Sequence, residues 1–415
     1  MDDSLENGGN LITPILDSPK AKIEEKRTFK PIPLRNGLTA IVKASIVNVL
    51  LVFVPLGIIS KFVGWSSTVV FVLNFLAIIP LAKLLGFATE DLSIRIGETL
   101  GGLLNATFGN AVEVIVSIIA LTKNLVIVVQ ASMLGSILSN LVFVMGFCFL
   151  LGGFKYHEQE FNATAAQTSA SLMAIATSSL LLPAAFVAST TGTDVEASIL
   201  SISRATAIIL LVLYAGYLVF QLKTHADLFV AAEHHDDKGT ILRTNEKEET
   251  ELEEPAMPTW MAITLLIVIT VLVAFCAEFL VDAIDDIVTQ WHLTQTFVGL
   301  ILLPIVGNAA EHVTAVTCAM KDKMDLAIGV AIGSSMQIAL FVTPLTVIVG
   351  WGINVPMTLY FNVYETAVMF ISVLIVNYLI TDGKSNYLEG LMLLGVYLIV
   401  AISFFYYPDE STTGN

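Results

Sequence analysis

The sequence predicts an all-α polytopic membrane protein of eleven transmembrane helices, with one extra N-terminal helix ahead of two inverted five-helix repeats. Three observations carry this prediction. Mean hydropathy is +0.80, and charged residues are 13% of 415, about half the share of a soluble domain. Eleven apolar stretches approach the ~20 residues that a helix needs to cross a bilayer. One five-residue phrase is written twice in apolar surroundings, as Gly109-Asn110-Ala111-Val112-Glu113 and Gly307-Asn308-Ala309-Ala310-Glu311.

The chain opens with a polar tail, residues 1–43, that carries seven basic residues from Lys20 to Lys43 and is expected to be mobile. The apolar run that follows starts too far in for a cleaved signal peptide. Residues 44–63 form the extra first crossing. The first repeat, residues 64–222, holds crossings at 67–86, 98–121, 127–151, 164–187 and 198–222. A polar loop occupies 223–258. The second repeat, residues 259–407, holds crossings at 259–281, 295–320, 325–350, 356–381 and 387–407, and residues 408–415 form a lumenal tail.

Lys and Arg placement sets the orientation, because they collect on the cytosolic side. With the N-terminus in the cytosol, 17 of the 20 basic residues fall on that side, including Lys83, Arg95, Lys155 and Lys384. Only Lys61, Lys123 and Arg204 fall on or toward the far side. A net charge of −16 is the wrong sign for phosphate binding, so nucleic acid is not an expected partner. The expected partners are the bilayer and a divalent cation, and no obligate protein partner is evident. Cys148, Cys276 and Cys318 lie in apolar stretches and read as small buried hydrophobes. The sequons at Asn105 and Asn162 fall in a helix and at the cytosolic face, where neither is expected to be modified.

The two phrases lie 198 residues apart, and the same offset carries Gly135-Ser136 onto Gly333-Ser334. Upstream, Ala88-Thr89-Glu90 matches Cys276-Ala277-Glu278 at an offset of 188. With eleven crossings, the Glu113 and Glu311 helices run in opposite directions. That is the inverted arrangement of secondary transporters, whose ion sites lie near the midplane. The absence of a Walker motif argues against a nucleotide-driven pump. No paired histidines for zinc and no nucleophile with a base partner occur, so an enzyme is not expected.

A carboxylate at the centre of a membrane helix costs about 2.5–3.5 kcal/mol. The chain accepts this twice in one setting, which points to a shared cation. The three-residue spacing places Asn110 with Glu113, and Asn308 with Glu311, on one helix face. Gly109 and Gly307 allow close backbone approach and local loosening that frees carbonyl oxygens. Carboxylates with neutral oxygens suit a hard divalent cation such as calcium. Without the cation, two like charges in a low dielectric repel and protonation neutralises the site. Exchange of a divalent cation for protons follows, and no cofactor is expected.

Other candidates carry two readings each. Ser136, Ser139 and Gln337 either complete the ion shell or bond helix to helix. His312 either tunes proton affinity or bonds a neighbour, and Val114 stands in its place in the first copy. Glu90 and Glu278 either attract the cation at the two mouths or are helix-end charges. The loop residues Asp227, Glu233, Asp236, Asp237, Glu246, Glu248, Glu249, Glu251, Glu253 and Glu254, with His225, His234 and His235, form either a solvated linker or an acidic cover that concentrates cations at the cytosolic mouth. A sodium/calcium exchanger and a passive cation channel remain as alternatives.

The stretches Gly102–Leu121 and Gln130–Asn140 resemble the first signature of the vacuolar cation/proton exchangers, and Gly299–Val316 with Ala331–Pro344 resembles the second. The likeness runs from about Ala44 to Glu410 and is strongest to the fungal vacuolar calcium/proton exchangers. It implies movement of calcium, with manganese a second candidate, from cytosol into an acidic vacuole in exchange for protons. It implies that Glu113 and Glu311 carry the ion, helped by Asn110, Asn308, Ser136, Gln337 and His312, and that an acidic cytosolic helix precedes the seventh crossing.

Overall fold

In an apolar solvent each backbone N–H and C=O must find its partner within the protein, which favours helices over open sheets. The computed structural model describes residues 32–96, 98–190, 195–225 and 255–408, and almost all of them are helical. In chain order the helices are α1 (Leu34–Lys43), α2 (Ile46–Val63), α3 (Ser67–Ile96), α4 (Glu98–Phe108), α5 (Ala111–Thr122), α6 (Val126–Lys155), α7 (Ala163–Ser189) and α8 (Val195–Thr224). After the polar loop come α9 (Thr259–Asp282), α10 (Ile284–Trp291), α11 (Gln295–Gly307), α12 (Ala309–Ala319), α13 (Met324–Gly352), α14 (Val363–Leu379) and α15 (Tyr387–Tyr406).

Among the described residues, eight helices are long and apolar enough to cross a membrane, and α11 with α12, bent by 60° at Asn308, can make a ninth. Besides this bend in 295–320, the expectation of eleven crossings needs correcting at two places. Residues 98–121 are not one helix but α4 and α5, parted at Gly109 and Asn110. Residues 356–362 are irregular, and α14 starts only where Asn362 and Glu365 form a capping box, leaving a helix of 17 residues. Proline at 356 lacks the N–H that a helix interior requires.

Two further boundaries move. Helix α3 runs on to Ile96 rather than stopping at Gly86, so Lys83 and Glu90 lie on it. Residues 34–43 of the expected mobile tail form α1, whose Gly37 packs against Met257 and Met261. The rest of the tail, residues 1–31, and the acidic loop residues 226–254 lie outside the described residues, as do 409–415.

Burial sorts the helices into centre and rim. In α6 and α13, 78% and 67% of the most apolar window is buried, against 17% in α2 and 22% in α15. Helix α9 packs along α3, α6 packs on α15 and α14, and α13 packs on α8 and α7. Both central helices widen to a π turn midway, at Ser139–Val144 and Ile338–Val342. Such turns interrupt the regular ladder and often accompany functional sites. Gly299 lets α11 press against α6, because a Cβ there would stand 2.7 Å from the Val128 carbonyl. Gln159–Glu160 and Lys384–Ser385 pair as a two-stranded antiparallel ribbon, and the Gln159 amide donates to Ala319 O and Asp322 at the end of α12.

Candidate functional site

Each repeated phrase sits on a helix break. Asn110 and Asn308 have nearly the same non-helical backbone, φ −102°, ψ 24° and φ −90°, ψ 5°, and each stands at the N-cap of the half-helix that follows. Glu113 and Glu311 then occupy the first turns of α5 and α12. The expectation that each Asn and Glu share the face of one continuous helix is therefore corrected. The asparagine is the cap at the break, and the glutamate is the third residue beyond it. The glycine before each cap permits this, since a tight turn between two helix halves leaves no room for a side chain.

The two breaks meet. The Glu113 carboxylate lies against Gly307, where a Cβ would come within 2.6 Å of Oε1. Glu113 and Glu311 are close enough for their charges to interact. In the other direction Gln337 of α13 reaches the first break, with its Oε1 accepting from Asn110 Nδ2 at 2.5 Å. Ser334 donates to Asn110 Oδ1 at 3.4 Å and accepts from Asn140 Nδ2 at 3.0 Å, and it lies within hydrogen-bonding reach of Glu311. Ser139 and His312 are joined at 3.2 Å.

Several buried polar atoms make no hydrogen bond. Those at the two breaks are Oε2 of both glutamates, both amide atoms of Asn308, and Oγ of Ser136. An unsatisfied buried polar atom costs about 1–3 kcal/mol, so a cluster of five at one point needs an explanation. Beside Glu113 lies a cavity of about 10 Å³, lined by Ser132, Ser136 and Gly307 among others, and about one water-sized particle fits such a space. Two carboxylates, an amide and hydroxyls are hard oxygen donors, a set that suits a divalent cation as cargo. Among the described residues no group of three or more His, Cys, Asp or Glu comes together.

Exposure is one-sided. Asn105, Thr107 and Gly109 on the α4 side are exposed and Glu311 is half-buried, whereas Glu113 is 5% exposed. Glu90 and Glu278 are both exposed, on α3 and α9. Glu278 lies near Lys123, whose ammonium bonds Asp282 at 2.8 Å, with Lys61 on the same carboxylate at 3.1 Å. Asp282 holds the Lys123 ammonium above the usual lysine range. The acidic-loop candidates Asp227 to Glu254, with His234 and His235, lie outside the described residues.

Sequence reasoning missed Ser334, Asn140 and Lys83. Ser334 was within reach, because the 198-residue offset maps Ser136 onto it. Asn140 has no such partner, as the same offset leads to Ile338. The sequence counted Lys83 only among the cytosolic-side charges. The residue is half-buried on α3 and donates to Thr314 of α12 at 2.9 Å.

A family described as sodium/calcium exchanger protein matches residues 66–223 and 261–406. A vacuolar calcium ion transporter of Schizosaccharomyces pombe is 49% identical over 375 residues, covering 90% of this chain and 88% of the relative. A Ca2+/H+ antiporter of Synechocystis is 46% identical over 367 residues, covering 88% and 98%. The solved structure of native YfkE superposes with a TM-score of 0.73 at 36% identity, covering 88% of this chain and all of that one.

Proposed function

Because the chain belongs to the sodium/calcium exchanger protein family, we propose that it is a secondary antiporter that moves calcium out of the cytosol in exchange for protons. The relatives named as vacuolar calcium ion transporter and Ca2+/H+ antiporter support this substrate pair and a multi-pass place in a vacuolar membrane. The N-terminus is cytosolic and the C-terminus lumenal, in line with the basic-residue bias.

The observation that carries the mechanism is the meeting of the two broken helices at Glu113 and Glu311 with their orphaned oxygens. A calcium ion accepts those oxygens and balances both carboxylates. When it leaves, protons take over the balancing, so the two cargoes exclude each other. Glu113, Glu311, Asn308 and Ser136 supply oxygens to the ion. Asn110, Gln337 and Ser334 fix the first break against the second half. Ser139 and His312 tie α6 to α12.

The architecture behind this is an extra first helix and two inverted five-helix halves. Two separate stretches match one family description, on either side of the acidic loop. The packing is also paired. Helix α6 meets α15 and α14 as α13 meets α8 and α7, with α3 against α9 at the centre, which is the pattern that exchanging the halves would preserve. The exposure of Asn105, Thr107 and Gly109 supports reading this as a cytosol-open state, which rocking one half against the other would close while uncovering Glu113 from the lumen.

Calcium uptake into sealed vesicles, with an acidic interior and no sodium, tests the reading. Uptake should proceed and dissipate the pH gradient. Glu113→Gln and Glu311→Gln should each reduce it about a hundredfold or more, since breaking a buried charge arrangement costs about 3–5 kcal/mol. Uptake that needs sodium would favour sodium exchange. Conductance without proton movement would favour a channel, and uptake that survives both substitutions would remove the site.

A further inference from the structure

A lysine inside an apolar membrane helix is expensive unless it has work or a partner, and intramembrane charges tend to mark ion pathways. Lys83 is the seventeenth residue of α3, roughly 24 Å along a helix that starts at the lumenal surface, and so within a hydrocarbon layer of about 30 Å. It does not extend to the surface as an interfacial lysine would. Its ammonium turns to α12 and donates to Thr314 Oγ1 at 2.9 Å. The Thr314 hydroxyl gives its own proton to Ala310 O at 2.8 Å, which leaves its lone pairs to the lysine. Thr314 is three residues beyond Glu311, one turn nearer the cytosolic end of α12. Seven residues on from Lys83, and so on nearly the same face of α3, stands Glu90. The second repeat carries no equivalent cation, since the 188-residue offset leads from Lys83 to Val271.

We infer that Lys83, held by Thr314, is a specificity-determining charge on the cytosolic approach to the exchange site, where it weakens capture of the divalent cation on that side only. The inference rests on the two-glutamate antiporter and its orientation proposed above. A fixed positive charge raises the energy of an approaching calcium ion twice as much as that of a proton. Lys83 therefore sets the balance between the two cargoes at one mouth and leaves the lumenal mouth alone. Lys83 and Glu90 oppose each other along one stripe, so the capture strength on the cytosolic face is a trimmed value.

The test measures half-saturation for calcium on each face, by uptake into sealed vesicles and by acid-driven release from preloaded ones. Lys83→Gln should tighten the cytosolic value about three- to tenfold, the size of effect that a unit charge about 8 Å from a divalent ion has across a water-filled approach. The gain should shrink as salt rises, and the lumenal value should stay put. Lys83→Arg keeps the charge and should keep the native value. An unchanged or weaker cytosolic value in Lys83→Gln overturns the inference, and so does an equal shift on both faces. If Lys83→Gln does not fold, Lys83→Arg decides, because a shift beyond about twofold there would mean that shape rather than charge sets the value. Glu311→Gln is measured alongside. Transport that survives it sinks the two-glutamate site itself, whereas a dead Glu311→Gln beside a native Lys83→Gln sinks this inference alone.

Discussion

The two helix breaks are built from the same phrase, yet they are not held in the same way. At the first, Asn110 is tied on both sides of its amide, by Gln337 and Ser334. At the second, neither atom of the Asn308 amide has a partner. Glu113 is 5% exposed and presses on Gly307, while Glu311 is half-buried. One break is locked and the other is poised. An exchanger caught open to one side should look like this, with the sealed half structurally complete and the open half waiting for its ion. A permanent difference between the repeats would look the same in one state, so substitutions must separate the two.

The largest effect is expected at the glycine that receives a carboxylate. Gly307→Ala places a methyl group 2.6 Å from Glu113 Oε1, so the carboxylate must leave its position. Transport should fall about a hundredfold, since even a 1 Å displacement at a reacting site can cost that much. Gly109→Ala instead crowds the Asn105 carbonyl and leaves both carboxylates in place, so its loss should be clearly smaller. Equal losses in the vesicle assay would mean that the breaks are mechanically equivalent.

The asparagines come next, and here stability is the readout. Asn110→Ala strands Gln337 and Ser334 and should lower the stability of the calcium-free protein by about 1–3 kcal/mol. Asn308→Ala strands nothing in that state and should leave it unchanged. The order reverses with the ion present: Asn308→Ala should lose most of the extra stability that calcium confers by binding the folded state. Thermal unfolding in detergent, with and without calcium, checks both. If the two variants behave alike in both conditions, the poised break is not an ion site.

How far the sequence could foresee this depends on the interaction. The apolar stretches, the paired glutamates and the 198-residue offset are local or periodic signals, and they led to the helical character of the chain but not to every helix boundary. The breaks at Asn110 and Asn308 were not legible, because α4 with α5 and α11 with α12 have nearly continuous hydropathy. The turn is fixed by what packs across it, Gln337 at one break and the Glu113 carboxylate at the other. Lys83 was read only as a cytosolic-side charge for a related reason. Hydropathy ends a crossing where charge begins, so Gly86 looked like an end, but Thr314 gives the lysine a partner and α3 continues ten residues further.

A smaller effect is expected at the one ring that breaks the likeness of the two phrases. His312 bonds Ser139 at 3.2 Å, where the first copy has Val114. Ser139→Ala and His312→Val should each reduce transport several-fold, about 1 kcal/mol of coupling for a single hydrogen bond. The double variant should be no worse than the poorer single one, as residues acting through one shared contact are not additive. Additive losses would show that the two residues act separately, and the tie between α6 and α12 would drop out of the comparison.

The least effect is expected where the far surface is pinned. Asp282 receives Lys61 from the extra helix α2 and Lys123 from beyond α5, and the 188-residue offset leads from Asp282 to Ile94, so only the second repeat owns this tie. The side chains are 24–41% exposed, and exposed pairs contribute little. The sign is nevertheless fixed. Lys123 is held above its usual range by Asp282. The stabilisation is therefore fully present below the unfolded lysine value of about 10.4 and is lost as pH climbs through the higher folded value. Thermal melts of the native protein and Asp282→Asn should differ by a small, constant amount from about pH 6 to pH 9, and the gap should close in strong alkali and in high salt. The gap should close in strong acid too, where the carboxylate itself is neutralised, but a gap that had already closed near pH 6 would mean that the carboxylate titrates there. The pin would then respond to lumenal acidity, and the far face would be a second regulated surface.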